Sequence, residues 1–236
     1  MITVKIAGLN IVIKNKYKYS EVLCKDYISK TDDIDFIVSA TEEEIMEEKK
    51  LSPWDTSIGC YESTCLFRKI CLHVLDYDAF FMHSSVVAVD GQAYAFAAKA
   101  GTGKSTHTAL WMKYFGERSI MVNGDKPIFR YRDGTLYACG HPWSGKEGLN
   151  TNTMLPLKGI CFIERSEANH IQRLSQQETI DRLFLQMLMP KEKDRMDKFL
   201  FLLDRLVIDI PCYLLECNMT KEAVLTAYNA MNQEVL

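Results

Sequence analysis

The chain has 236 residues, 47% of them hydrophobic, and a formal net charge of −3. That suffices for one large domain, or one domain with a smaller lobe, and the charge gives no general affinity for nucleic acid or an anionic membrane. No apolar run reaches the ~18 residues a membrane span needs, and Met1-Ile2-Thr3-Val4-Lys5 lacks the layout of a secretory signal.

Residues 1–75 read as a small β-rich lobe with a lead-in helix. Residues 2–6, 10–14 and 34–38 alternate as strands do, with Gly8-Leu9 joining the first two. Thr41-Glu42-Glu43-Glu44 has the capping-box spacing and predicts a short acidic helix through residue 48. Leu66, Ile70, Val74 and Tyr77 recur at helical spacing within residues 62–77. Glu62 and Arg68 on that helix are expected to meet solvent or form a structural pair.

Residues 76–236 read as the main domain. Residues 84–89 form a β-rich run, Asp90-Gly91 is a hairpin signal, and residues 93–98 make a buried strand. Residues 106–115 predict a helix stopped by Gly116. A strand follows at 119–122, then an Asp133-Gly134 hairpin between residues 128–131 and 135–138. Residues 157–163 read as a buried strand and residues 177–189 and 191–207 as helices broken at Pro190. A late strand at 211–216 and a helix at 220–231 close the chain, and the apolar stretch 183–189 is expected in the core. The eight cysteines show no C-x-x-C spacing, which argues for reduced, mostly buried thiols in a cytoplasmic protein rather than zinc or disulfides.

Chemistry concentrates in Ala98-Lys99-Ala100-Gly101-Thr102-Gly103-Lys104-Ser105, a phosphate-binding loop in all but its first position, where Ala98 replaces glycine. It sits between a strand and a helix, so backbone N–H groups and the helix dipole converge on an anion. Ala100, Gly101, Thr102, Gly103, Lys104, Ser105 and Thr106 are the expected nucleotide contacts. Lys104 supplies charge for the β- and γ-phosphates, and Ser105 supplies a hydroxyl for Mg²⁺. Asp125, after a β-rich strand, is the candidate carboxylate for that metal, although Asn123-Gly124 is also a hairpin signal in which Asp is an ordinary turn residue. His83 precedes the hairpin strand and could assist. Residues 140–148, with three glycines, a proline and Trp143, describe a shaped loop, and Lys146 could neutralise charge on the transferring phosphoryl group. Arg165 could clamp a phosphate or carboxylate, or pair with Glu164 or Glu167.

A phosphate loop fed by an antiparallel hairpin is unusual. It resembles the nucleotide-binding domain of HPr kinase/phosphorylase and of ATP-dependent phosphoenolpyruvate carboxykinase. The resemblance spans residues 81–165 and rests on His83, the loop and Asn123-Gly124-Asp125-Lys126-Pro127, in the order that family uses. It is nearest to small free-standing HPr-kinase-like proteins, some of which phosphorylate serine in peptides or as a small molecule. The resemblance implies an α/β, carboxykinase-like P-loop domain with a mixed sheet. It also implies a kinase that uses ATP and Mg²⁺, with the 140–148 loop near the γ-phosphate, though it fixes the role of no side chain in that loop. The candidate catalytic residues are Asp125, Lys104, His83 and, on its charge alone, Lys146, with Ser105 and Asp125 at the metal.

Where HPr kinase carries two adjacent aspartates, the first usually serving the reacting hydroxyl, this chain has Gly124. A nucleotide-binding accessory protein without turnover, for example in peptide maturation, is therefore the alternative. A decarboxylating carboxykinase is disfavoured by the short chain and by the lack of a Mn²⁺ cluster of lysine, histidine and aspartate. The expected partners are a nucleotide and a small-molecule or peptide acceptor, with neither nucleic acid nor membrane; a homo-oligomer fits as well as a monomer.

Overall fold

A computed structural model describes residues 1–99 and 101–233. The N-terminal strands β1 (Ile2–Ile6) and β2 (Leu9–Lys14) form a hairpin whose turn residues Ala7 and Gly8 both have positive φ. The short helix α1 (Tyr19–Leu23) intervenes before β3 (Phe36–Ser39), which joins β2 in parallel. Helix α2 (Glu42–Leu51) begins with the full capping box on Thr41 and Glu44. Helix α3 (Ile58–His73) starts four residues earlier than the spacing suggested, because Ser57 accepts from the Cys60 amide and sets the N-terminus. Leu66, Ile70 and Val74 are fully buried against this sheet, and the same core takes in Ile128 and Cys139 of the larger sheet.

Glu62 differs from expectation. It is buried, and its carboxylate accepts the backbone N–H groups of Lys16 and Tyr17 at 2.6 and 3.1 Å. Two amide donors replace the water that a buried anion loses. Arg68 pairs with Glu48 at 2.8 Å.

The larger sheet and its helices follow with β4 (Ala79–Phe81), β5 (Ser85–Val89), β6 (Gln92–Ala97), α4 (Lys104–Phe115), β7 (Ser119–Asn123), β8 (Ile128–Arg132), β9 (Thr135–Cys139) and β10 (Met154–Arg165). Strand β11 (His170–Arg173), helices α5 (Gln176–Phe184) and α6 (Lys193–Asp209), β12 (Cys212–Cys217) and α7 (Lys221–Asn232) complete them. The sheet runs β4-β8-β9-β10-β6-β5-β7, with β12 on β10 and β11 outside β12. The Asp90-Gly91 and Asp133-Gly134 hairpins form as the sequence predicts, all four residues having positive φ.

Alternation in β5 and β6 explains the layering. Val86, Ala88, Ala93, Ala95 and Ala97 face the core beneath α5 and α6, whereas Val87, Val89, Tyr94 and Phe96 face the core beneath α4 and α7. Both faces are covered, so the strands read as nearly unbroken apolar runs. The result is a mixed α/β sheet sandwiched by helices, with the small three-stranded sheet beside it.

Strand directions decide where the site lies. β5 is antiparallel to both β6 and β7, while β10 is parallel to β6 and to β12. Hence β6, β7, β10 and β12 all point the same way, and their carboxyl ends share one edge. That edge gathers the loop after β6, Asp125, Arg165 and residues 217–219, and β5 starts there just after His83.

The predicted helix over 177–189 ends at Phe184 instead. Met187 makes a bridge to Met82, and the Gln186 carbonyl accepts the His83 amide at 2.7 Å. Pairing with the segment after β4 satisfies the backbone that helix would otherwise use.

Candidate functional site

The loop that follows β6 is shaped by glycine. Gly101 and Gly103 have φ of +77° and +123°, which an L side chain rarely adopts, although a Cβ would meet nothing within 4 Å at either position. Backbone conformation rather than crowding therefore requires glycine at both. Helix α4 starts at Lys104 itself, two residues before the sequence suggested, and Gly103 gives it no side-chain cap. First-turn amides without a side-chain cap are donors that an anion can satisfy. Ala100 lies outside the described residues.

Two cations attend this loop. The Lys104 ammonium donates to the Ala98 carbonyl at 3.1 Å, and burial lowers its pKa against the opposing pull of Asp125. Arg165, at the end of β10, donates to the Gly101 and Thr102 carbonyls at 2.5 and 3.0 Å. Neither acidic neighbour holds it: Glu164 pairs with Arg182 at 2.8 Å. Its guanidinium instead ties the loop to β10 and places a permanent charge beside the loop.

Across a cleft of 390 Å³ stand His83 and Asp125. Lys104, Ser105, Thr106, Gly124 and Arg165 also line it. His83 Nε2 lies 3.0 Å from Asp125 Oδ1, and Lys126 Nζ lies 3.5 Å from Oδ2. Burial raises the Asp125 pKa, but the His83 hydrogen bond and the Lys126 charge outweigh it, so the carboxyl is held below its ordinary value. The turn is built by Asn123, whose side-chain oxygen accepts the Asp125 and Lys126 amides at 3.0 and 2.8 Å. Asp125 is thus a turn residue and a cleft-facing carboxylate at once.

The loop over residues 140–150 packs on this turn. The Gly124 amide donates to the Leu149 carbonyl at 2.9 Å, and a Cβ on Gly145 would come within 2.8 Å of the Asp125 Cβ. His141 is fully buried and joins the two segments. Its Nδ1 accepts the Trp143 amide at 3.2 Å, which leaves Nε2–H to donate to the Lys126 carbonyl. Burial pushes its pKa down to about 4, so the ring is neutral. Trp143 stacks on Phe67 and donates to the Ser63 hydroxyl at 2.9 Å. It anchors the loop to α3. Lys146 is exposed, with its ammonium 4.7 Å above the Trp54 ring.

The geometry thus brings together the loop residues, Ser105, Asp125 and His83, and it places Lys146 on Trp54. Sequence reasoning left the Arg165 contact open and did not single out His141. Arginine at the carboxyl end of a strand parallel to the loop strand was the available signal for the first.

Ser105 and Asp125 offer an exposed hydroxyl and an ionised carboxylate on one cleft. Such hard oxygen donors suit Mg²⁺ held largely by phosphate and water. Among the described residues there is no group of three or more His, Cys, Asp or Glu arranged for a metal without such help. All eight cysteines are free and seven are buried. No helix among the described residues is long and apolar enough to cross a membrane.

No family model matches the chain, and no curated protein does. Among solved structures, it is similar to the Hpr(Ser) kinase/phosphatase from Coxiella burnetii, at 11% identity over 64% of this chain and 92% of that chain, with a TM-score of 0.38. A likeness of that size is too slight to speak for the placing of side chains or for activity.

Proposed function

We propose that this protein is an ATP-dependent, Mg²⁺-assisted kinase that transfers the γ-phosphoryl group to a hydroxyl of a small molecule or peptide. The observation that carries this reading is the convergence of the phosphate loop, Asp125 and His83 on one cleft. The loop amides and Lys104 bind the phosphates, and Lys104 leaves the Ala98 carbonyl to do so. Ser105 and Asp125 would hold Mg²⁺, which would supply charge compensation for the phosphates. The acceptor oxygen bonds to the γ-phosphorus as the bond to the β,γ-bridging oxygen breaks, and ADP leaves. His83, with Nε2–H directed to Asp125, offers Nδ1 to the hydroxyl proton. A strong base is unnecessary, because the transition state is loose and positioning dominates. Lys146 serves the acceptor only after leaving Trp54, so its effect tests whether the 140–150 loop moves.

A second reading, a nucleotide-binding partner without turnover, is favoured by one observation. A Cβ at Gly124 would lie 3.3 and 3.4 Å from the Ser144 and Leu149 carbonyl oxygens, so the family's first aspartate has little room here.

Labelled ATP with a panel of hydroxyl compounds and serine peptides separates the two readings. The kinase reading expects Mg²⁺-dependent ADP and a phosphorylated product, falling at least about 100-fold in Asp125→Asn. ATP binding with no turnover above that variant would establish the second reading.

A further inference from the structure

Helix α6 turns an apolar stripe outward. Residues 197, 200, 201, 204 and 208 recur at three- and four-residue steps, so they run along one face of the helix. They are Asp197, Leu200, Phe201, Asp204 and Ile208, with Phe201 62% and Ile208 69% exposed. Phe199, Leu202 and Leu206 fill the core from the other face. Between α5 and α6 the stripe borders a groove of 420 Å³, lined by Ile180, Phe184, Leu200, Phe201, Leu203 and Asp204. A single exposed apolar residue is ordinary, but neighbouring ones beside a groove make a patch that a partner can cover.

Charge decides what this groove fits. Asp197 and Asp204 stand one turn to either side of Leu200 and Phe201, and Asp181 stands one turn before Phe184 on α5. The cations of the two helices are engaged elsewhere: Arg182 with Glu164 at 2.8 Å, Arg195 with Asp76 at 3.8 Å, Lys198 with Asp78 at 3.9 Å and Arg205 with Asp209 at 3.2 Å. Lys193, in the first turn of α6, is the one cation of these helices left against three acids, so the rim is negative. A second copy of the same face would bring acids to acids, and an anionic membrane is repelled for the same reason. The groove instead complements a chain with apolar anchors and lysine or arginine beside them.

The groove also leads to the candidate site. Phe184, the last residue of α5, lines the groove, and the next residues, Leu185 and Gln186, line a crevice of 630 Å³ with Gly101 and Thr102 of the phosphate loop. The Gln186 carbonyl accepts the His83 amide. One short segment thus joins the groove to the cleft.

We infer that the α5–α6 groove docks a cationic, amphipathic segment of a polypeptide acceptor, with apolar side chains packed against Phe184 and Phe201 and lysine or arginine facing Asp181, Asp197 and Asp204. The docking stands on the groove; that the docked chain is the acceptor rests on the kinase reading. The recognition segment is then separate from the hydroxyl that reacts, and its binding energy holds that hydroxyl near the cleft.

Selection of random peptides of about 12 residues on the full chain, without nucleotide, tests the docking. Enriched peptides should carry lysine or arginine beside apolar residues. By calorimetry, Phe201→Asp should weaken a selected peptide at least about tenfold, and Asp197→Lys combined with Asp204→Lys at least about fivefold. All three side chains are exposed, and either variant remains informative if the other fails to fold. No enrichment, an acidic enriched set, or peptides that bind the folded variants as tightly as the wild type overturns the groove. So does a wild-type dimer in light scattering that Phe201→Asp dissociates, because a second copy then covers the face. Labelled ATP with a selected peptide extended by serine tests the acceptor role. Phosphorylation of that serine is expected, with KM raised in Phe201→Asp and kcat unchanged. Transfer to small hydroxyl compounds but to no docked peptide overturns the acceptor role alone. Transfer to neither overturns the kinase reading and leaves the docking standing.

Discussion

At residue 104 a half-buried ammonium is held by the carbonyl of Ala98, a bond that a phosphate would replace. Lys104→Ala removes a desolvated charge, so folding should be unharmed while ATP affinity falls. A charged hydrogen bond of about 2 kcal/mol corresponds to roughly a 30-fold loss. Calorimetry on the folded variant checks this; unchanged affinity would show that the loop does not bind phosphate through this side chain. Gly124 poses the opposite question. Restoring an aspartate there pushes a Cβ against the Ser144 and Leu149 carbonyl oxygens, both backbone atoms that yield poorly. Gly124→Asp should therefore lower the thermal midpoint and fail to raise turnover. A gain in turnover at unchanged stability would mean that the 140–150 loop gives way readily, and that the missing carboxylate is what limits turnover.

The elements that position the site were legible to different depths. Both Asp-Gly hairpins and the loop strand could be read because turn chemistry and apolar alternation are local signals. Arg165 could not be assigned, because its partners Gly101 and Thr102 are more than sixty residues away and are backbone carbonyls, which leave no trace in sequence. The same holds for Glu62, whose partners are the amides of Lys16 and Tyr17. The shortening of α5 came from pairing with the segment before His83, again a non-local contact. The 140–148 loop was recognisable by its glycines, yet which glycine mattered was not. Gly140 is the tightest, with a Cβ falling 1.9 Å from the Thr151 carbonyl oxygen and 2.6 Å from that of Val122. Gly148 has φ +64° and nothing within 4 Å. Gly140→Ala should cost about 3 kcal/mol or more, and Gly148→Ala only the backbone strain of about 1 kcal/mol. Thermal melts should thus separate them by several degrees, since each kcal/mol shifts a chain of this size by about 2–4 °C. Equal melting temperatures would show that the 140–150 loop yields to a Cβ at residue 140.

For the whole molecule, two buried histidines set how stability responds to acid. His107 and His141 are neutral when folded, with pKa values pushed down from 6.5 to about 4 by burial. On unfolding, both regain ordinary values. Between pH 6.5 and 4 the unfolded chain therefore binds up to two more protons than the folded one at these two sites. His73, whose pKa burial also lowers, acts in the same direction, and stability rises with pH across that window. It should be flat between about pH 7 and 8 and fall below pH 6.5, with a slope approaching roughly 2.7 kcal/mol per pH unit for two protons. Asp125, Asp90, Glu44 and Glu178 have lowered pKa values, so their contribution is complete above the ordinary carboxylate values of 3.8 to 4.5 and is lost as pH falls below them. The histidine and carboxylate windows are thus largely separate. His141→Gln is the discriminating variant. Its amide can still donate to the Lys126 carbonyl, but it cannot titrate, so the slope near pH 5 should fall by about half. Urea unfolding from pH 4.5 to 7 measures it. The loop should follow the same course, because a protonated His141 cannot accept the Trp143 amide, and that bond helps hold residues 140–150 over Asp125. ATP turnover in the wild type should then fall with acid more steeply than in His141→Gln. Parallel pH profiles for the two proteins would show that this imidazole stabilises the fold without governing the loop.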